Sequence, residues 1–189
     1  MSPVSRFLAA STLLIAPVLG FAQADLQKAQ LCVSCHGPGG NSVVSTIPNL
    51  AGQSARYLYL QMVDFQEGRR KNRMMAPMVA GLSHDDLREI AAYFAASPPK
   101  PTGFTPDPVK AKAGKAKADE TLCTMCHQGG FAGMNEVPRV AGQHYDYVVK
   151  QLGDFKAHTR SNDAGTMTAV AGTLSDQDID NLAHYVAGL

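Results

Sequence analysis

Cys32-Val33-Ser34-Cys35-His36 decides how this chain is read. Two cysteines separated by two residues, with a histidine directly after the second, form the attachment sequence of a c-type haem. Each thiol adds to one haem vinyl group, and the two intervening residues let both sulfurs reach the same porphyrin edge. The histidine then lies under the ring, where its imidazole becomes the proximal iron ligand. The stretch returns as Cys123-Thr124-Met125-Cys126-His127, and the two copies use all four cysteines of the protein. None is left for a disulfide or a nucleophile. A zinc site would more often pair C-x-x-C with a second C-x-x-C or a separated histidine pair. A thioredoxin-like redox pair would need a βαβ pattern nearby, and none is present. The residues therefore predict two covalent haem c groups, on Cys32 and Cys35 with His36 on iron, and on Cys123 and Cys126 with His127 on iron.

Composition fits a globular chain: of 189 residues, 45% are hydrophobic and only 17% are charged. The N-terminus reads as a targeting segment. Arg6 is a short positive region, 7–19 is an apolar run broken only by Ser11, Thr12 and Pro17, and Ala22-Gln23-Ala24 is an A-x-A cleavage site. Residues 1–24 are expected to be a cleaved signal peptide, with the mature chain starting at Asp25; an uncleaved anchor is the alternative. Covalent haem attachment in bacteria takes place outside the cytoplasmic membrane, so the periplasm is the expected compartment. No later stretch is apolar and long enough to span a bilayer, so a soluble mature protein is expected. The net charge of +1 gives no reason to expect nucleic acid as a partner.

The chain is an internal duplication. Cys35 maps onto Cys126 at a shift of 91. Pro48-Asn49-Leu50-Ala51-Gly52-Gln53 maps onto Pro138-Arg139-Val140-Ala141-Gly142-Gln143 at 90, as do Tyr57, Gln61 and Phe65 onto Tyr147, Gln151 and Phe155. Leu82-Ser83 maps onto Leu174-Ser175 at 92. Each half reads as helices joined by loops. Helices are expected over 54–67 and 144–158. Ser83 with Asp86 forms an N-terminal capping signal, followed by Leu87, Ile90, Ala91 and Phe94 on one helical face. Ser175 with Asp178, then Ile179, Leu182, Ala183 and Val186, repeats it. Proline density across 97–108 excludes helix and predicts a stiff extended linker. A helix over 109–121 leads into Cys123, whereas the first half has only 25–31 in that role, so a short first helix is expected. No alternating strand pattern of useful length is present. The expectation is an all-α protein with one domain over 25–97, a proline-rich linker over 98–108 and a second domain over 109–189.

A haem in an electron carrier usually takes a sixth ligand from elsewhere in the chain, and a methionine thioether raises its reduction potential. After His127 the methionines are Met134, too near to swing to the opposite haem face, and Met167, just ahead of the last helix. In the first half, the shift of 92 carries Met75 onto Met167, while Met74 falls on Thr166 and Met78 on Val170. Met75 and Met167 are thus the expected ligands. Met74 and Met78 would pack the haem pocket and Met62 the core. A ligating histidine usually donates its other ring N–H to an oxygen. The backbone carbonyls of Pro48 and Pro138 are candidates, ordinary turn prolines being the alternative.

The haem motif, the Pro-x-Leu/Val-Ala-Gly-Gln segment, the methionine and the Leu-Ser-x-x-Asp helix occur twice in that order. The mature chain thereby resembles the diheme cytochromes c of the cytochrome c4 family over essentially its whole length. The resemblance implies two class I cytochrome c domains related by a pseudo-twofold axis, with haem propionates near the domain interface. It also implies a periplasmic electron carrier, often membrane-associated, that serves terminal oxidases and takes electrons from a quinol:cytochrome c reductase-type donor. The matching ligand sets are His36 with Met75 and His127 with Met167, with Pro48 and Pro138 orienting the histidines.

Other residues invite weaker readings. His84, His144, His158 and His184 read as surface histidines, with bis-histidine ligation as the functional alternative. Tyr57 and Tyr147 would pack on haem edges or in the core. Residues 25–100 carry 8 basic and 6 acidic side chains, and 101–189 carry 8 and 10. The run Arg69-Arg70-Lys71-Asn72-Arg73 beside Met75 is either a solvated loop or a docking patch for an acidic redox partner. The expected function is single-electron transfer rather than catalysis. The rivals are an electron-accepting subunit of a dehydrogenase complex, such as a sulfide-oxidising flavocytochrome, and a diheme peroxidase. The peroxidase would need an open iron position, which two matched methionines oppose.

Overall fold

The computed structural model describes residues 21–189; the charged start and apolar run of the expected signal peptide fall on residues 1–20 and lie outside the described residues. The first half contains α1 (Phe21–His36), α2 (Ala55–Gln66), α3 (Met75–Val79) and α4 (His84–Ala96). The second contains α5 (Pro108–Glu120), α6 (Cys123–His127), α7 (Tyr145–Lys156), α8 (Thr166–Gly172) and α9 (Asp176–Ala187). Among the described residues there is no strand, only an isolated antiparallel bridge between Met134 and Val137. No described helix is long and apolar enough to cross a membrane.

Both capping signals form as boxes. Ser83 Oγ accepts from Asp86 N–H while the Asp86 carboxylate accepts from Ser83 N–H, and Ser175 and Asp178 repeat the pair. Two of the four orphan donors at each helix start are satisfied in this way. The stripe behind each cap is the core of its half. Leu87, Ile90, Ala91 and Phe94 are at most 1% exposed, and Ile179, Leu182, Ala183 and Val186 at most 5%. Burying a large aliphatic or aromatic side chain contributes roughly 1.5–3 kcal/mol. α4 packs against α1 and α2, and α9 against α5 and α7, so each half has its own apolar centre.

The first helix is longer than its expected short form. α1 continues unbroken through Cys32 and His36, so the haem motif is its last turn. The second half differs. Buried Ala118 lies five residues before Cys123, whereas buried Ala29 lies three before Cys32. The two extra residues are taken up where Leu122 adopts left-handed backbone (φ 55), splitting α5 from α6. Close packing of α5 on α9 depends on Gly114, where a Cβ would fall 2.0 Å from Asn181 O.

The segment between the halves forms no regular element up to Asp107, which caps α5 by accepting from Val109 and Lys110 N–H at 2.8 and 3.1 Å. Pro108, read from sequence as the last linker residue, is instead the first residue of α5, a position where its missing N–H costs nothing. Asn41 holds the start of the linker through Pro98 O and Lys100 N–H. Phe104 holds its end by stacking on Tyr145 at 5.3 Å between ring centroids.

Candidate haem sites

Cys32 and Cys35 lie three apart on one helix and therefore share a face, as do Cys123 and Cys126 on α6. None of the four sulfurs is in a disulfide; Cys35 and Cys126 are exposed, Cys32 and Cys123 partly buried. Burial pushes the Cys32 thiol up, which keeps it protonated.

The histidines that follow are buried, at 6% and 8% exposure. His36 Nδ1 lies 2.9 Å from Pro48 O, and His127 Nδ1 lies 2.8 Å from Pro138 O. In each, burial lowers the imidazole pKa more than the prolyl carbonyl raises it, so both rings are neutral near pH 7. With Nδ1–H donated, the Nε2 lone pair is free, and among the described residues it has no hydrogen-bond partner. A neutral imidazole with Nδ1 pinned and Nε2 open is the donor state an iron needs. Two thiols and such a ring on one helix turn fit a covalent haem in both halves.

The loops that fix these carbonyls are equivalent in backbone. Leu50 and Ala51 N–H both donate to Gly40 O, and Val140 and Ala141 N–H both donate to Phe131 O. The packing differs. Gly40 has left-handed backbone (φ 79), and a Cβ there would meet Phe94 at 2.7 Å. Its counterpart Phe131 is also left-handed (φ 56) and stacks on His127 with centroids 6.2 Å apart.

The candidate sixth ligands stand at two helix starts. Met75 opens α3, whose first N–H groups are capped by Asn72 Oδ1. Met167 is the second residue of α8, capped by Asp163. Met75, Met78 and Met167 are partly buried, whereas Met74 is 64% exposed. Met62 packs against the first core.

A set of polar contacts not anticipated from the sequence links the two halves. Gln53 and Gln143 are buried, at 7% and 8% exposure. Gln53 Oε1 accepts from Arg139 N–H and its Nε2 donates to Arg139 O, both at 2.8 Å. Gln143 does the same to Asn49, at 2.9 and 3.0 Å. Arg70 donates to Gln61 in its own half and to Tyr147 and Gln151 across the interface. Arg160 mirrors it, donating to Gln151 in its own half and to Tyr57 and Gln61 across. Recurrence of Gln53, Tyr57 and Gln61 at one constant shift was the available signal.

Three sequence readings are corrected here. Arg70 is an interface residue, not part of a surface patch. Arg69 is paired with Asp64 and Glu67. That leaves Lys71 and Arg73 as the exposed cations of the run without an ion-pair partner among the described residues. His144 is not a surface histidine: it is 6% exposed, and its Nε2 bonds Ser42 O across the interface at 3.0 Å. Of the others, His84 and His158 are exposed, while His184 is partly buried and accepts from Asp107 N–H.

Comparison with known proteins agrees with this geometry. The family model described as cytochrome c matches twice, over residues 24–97 and 111–189. A cytochrome c4 of Pseudomonas aeruginosa is 39% identical over 184 residues, covering 93% of this chain and 92% of the relative. The crystal structure of reduced recombinant cytochrome c4 from Pseudomonas stutzeri superposes with a TM-score of 0.82 at 38% identity, covering 89% of this chain and 98% of that one. A thiosulfate dehydrogenase electron acceptor of Stutzerimonas stutzeri is 31% identical over 182 residues, covering 85% of this chain and 80% of the relative. The chain thus belongs to the cytochrome c family as an all-α, two-domain member of the cytochrome c4 group, an electron-transfer protein rather than an enzyme, with two covalently bound haem c groups.

Proposed function

We propose that this protein is a periplasmic carrier that passes single electrons between respiratory redox proteins, from a quinol:cytochrome c reductase-type donor toward a terminal oxidase. Its domains span 25–97 and 108–189, joined by 98–107, after removal of residues 1–24. Cys32 and Cys35 would hold one haem and Cys123 and Cys126 the other, with His36 and Met75, and His127 and Met167, as axial ligands. The observation that carries the reading is the repeated pinning of His36 and His127 Nδ1 on Pro48 and Pro138 carbonyls, with Nε2 left free. When bound, haem iron supplies a one-electron couple. The chain's part is to fix each imidazole, exclude water from it and set the local charge. Tyr57 and Tyr147 accept hydrogen bonds from guanidiniums, and their own O–H groups have no acceptor among the described residues. Neither Arg70 nor Arg160 makes an ion pair there. Haem carboxylates at the interface would answer both needs.

Intact-mass analysis of the exported protein tests the reading. A chain beginning at Asp25 plus two haem masses is expected; one haem or none overturns it. The second reading is an electron-accepting subunit of a dehydrogenase complex, favoured by the likeness to a thiosulfate dehydrogenase electron acceptor. Purification from native membranes separates the two, since a subunit would leave with its dehydrogenase and a carrier would not.

A further inference from the structure

The two methionine loops are built differently. In the first, Asn72 Oδ1 caps α3 by accepting from Met74 and Met75 N–H at 2.9 and 3.0 Å. Its counterpart Asn162 does not cap α8. It reaches across the interface to Gln61 and Asp64, and its Oδ1 accepts from Arg160. The loop to Met167 is two residues longer and turns through left-handed Ala164 (φ 53) and Gly165 (φ 85). The capping passes to Asp163, which accepts from Gly165 N–H at 3.3 Å, Thr168 N–H at 2.8 Å and Thr168 Oγ–H at 3.1 Å. A carboxylate therefore stands where the first half uses a neutral amide.

We propose that Asp163 is the positioning residue of the second haem: it fixes the turn that carries Met167 and places a negative charge that lowers that haem's reduction potential. The proposal rests on Met167 being the sixth ligand. Oxidised haem carries one more positive charge than reduced haem, so a fixed anion favours the oxidised form. Burial alone would raise the Asp163 pKa, but its three donors outweigh burial and hold it below the ordinary carboxylate range. The charge is thus permanent at neutral pH. It makes no ion pair among the described residues, because Arg160 spends its donors on Gln151, Tyr57, Gln61 and Asn162. Lys71 and Arg73 beside the first loop are exposed, so solvent and salt screen them more than a partly buried carboxylate.

Reciprocal isosteric variants of the full holoprotein test this by potentiometric titration, with the methionine-to-iron charge-transfer band followed alongside. Asp163→Asn should raise the potential of one couple, the one whose band Met167→Ala abolishes, and leave the other unmoved. Asn72→Asp should lower the other couple. Retained bands with an unmoved second couple in Asp163→Asn overturn the proposal. If Asp163→Asn loses its band, the charge role is decided by Asn72→Asp, and an unmoved first couple overturns it. Met167→Ala that leaves both bands intact shows instead that the ligand assignment has failed, and removes the ground for this proposal with it.

Discussion

At the scale of single residues, the sharpest choice is among three neighbouring methionines. Met74 is solvent-exposed, while Met75 and Met78 lie on the five-residue α3 and are both partly buried, so burial does not separate them. Internal duplication does, because only Met75 aligns with Met167. Met75→Ala should abolish the methionine-to-iron band of one haem and Met78→Ala should leave both; loss of the band in Met78→Ala would show the alignment to be off by one turn. A second prediction concerns Tyr145. Its hydroxyl donates to Asp180 at 2.5 Å, and that bond first, burial second, pushes the phenol up to about 12. An unfolded tyrosine loses its proton near pH ~10. The folded state therefore holds a proton that the unfolded state releases, and this contact's stability is full below that pH and lost as pH rises toward 12. Tyr145→Phe should flatten the alkaline fall in stability measured by denaturant melts. The two C-x-x-C-H motifs were legible because the chemistry of haem attachment fixes their spacing. His144 was not, since a histidine just ahead of a helix has the same local sequence whether a second domain covers it or not.

At the scale of elements, the amphipathic stripes and capping boxes stand in the sequence because both are local, requiring contacts only within one or two turns. The break between α5 and α6 was not legible, because it follows from two residues whose effect shows only once α5 is seated on α9. That seating yields a contrast between two glycines. At Gly114 an added Cβ would meet Asn181 O and C at 2.0 and 2.5 Å, backbone atoms that cannot swing away. Gly114→Ala should therefore force α5 off α9 and cost about 1–3 kcal/mol or more, the range for overpacking. At Gly153, inside α7, a Cβ would meet nothing within 4 Å. Gly153→Ala should stabilise by about 0.5–1 kcal/mol through the lower backbone entropy of alanine in a helix. Denaturant melts of the holoprotein check both, and equal effects of the two substitutions would contradict the packing described for α5.

At the scale of the whole molecule, the duplication was legible but its consequence was not. A repeat can be two beads on a string or two halves of one body, and the side chains that decide between these are ordinary in either half alone. Arg69-Arg70-Lys71-Asn72-Arg73 illustrates this: a basic run in sequence, it divides into an intradomain ion pair, an interface residue and two exposed cations. Only Lys71 and Arg73 remain for docking, so neutralising both should slow association with an acidic partner and flatten its salt dependence, as stopped-flow rates would show. Paired amides hold one part of the interface, beside the Arg70 and Arg160 clusters. Gln53 and Gln143 each close a two-bond bridge onto the backbone of the opposite half and cap their own neighbour, Ser54 or His144, through the same oxygen. Truncating either leaves partly buried backbone groups of Asn49 or Arg139 without these partners, at up to about 1–3 kcal/mol per group that water cannot reach. Because the bonds cross between halves, the loss falls on their coupling rather than on either core. The double variant Gln53→Ala with Gln143→Ala should therefore keep both haems, both charge-transfer bands and the stripes of α4 and α9. Its thermal unfolding should split from one calorimetric transition into two, one for each half. A single transition, merely shifted downward, would mean that the remaining cross-half bonds of Arg70, Arg160, Asn162 and His144 couple the halves without these amides.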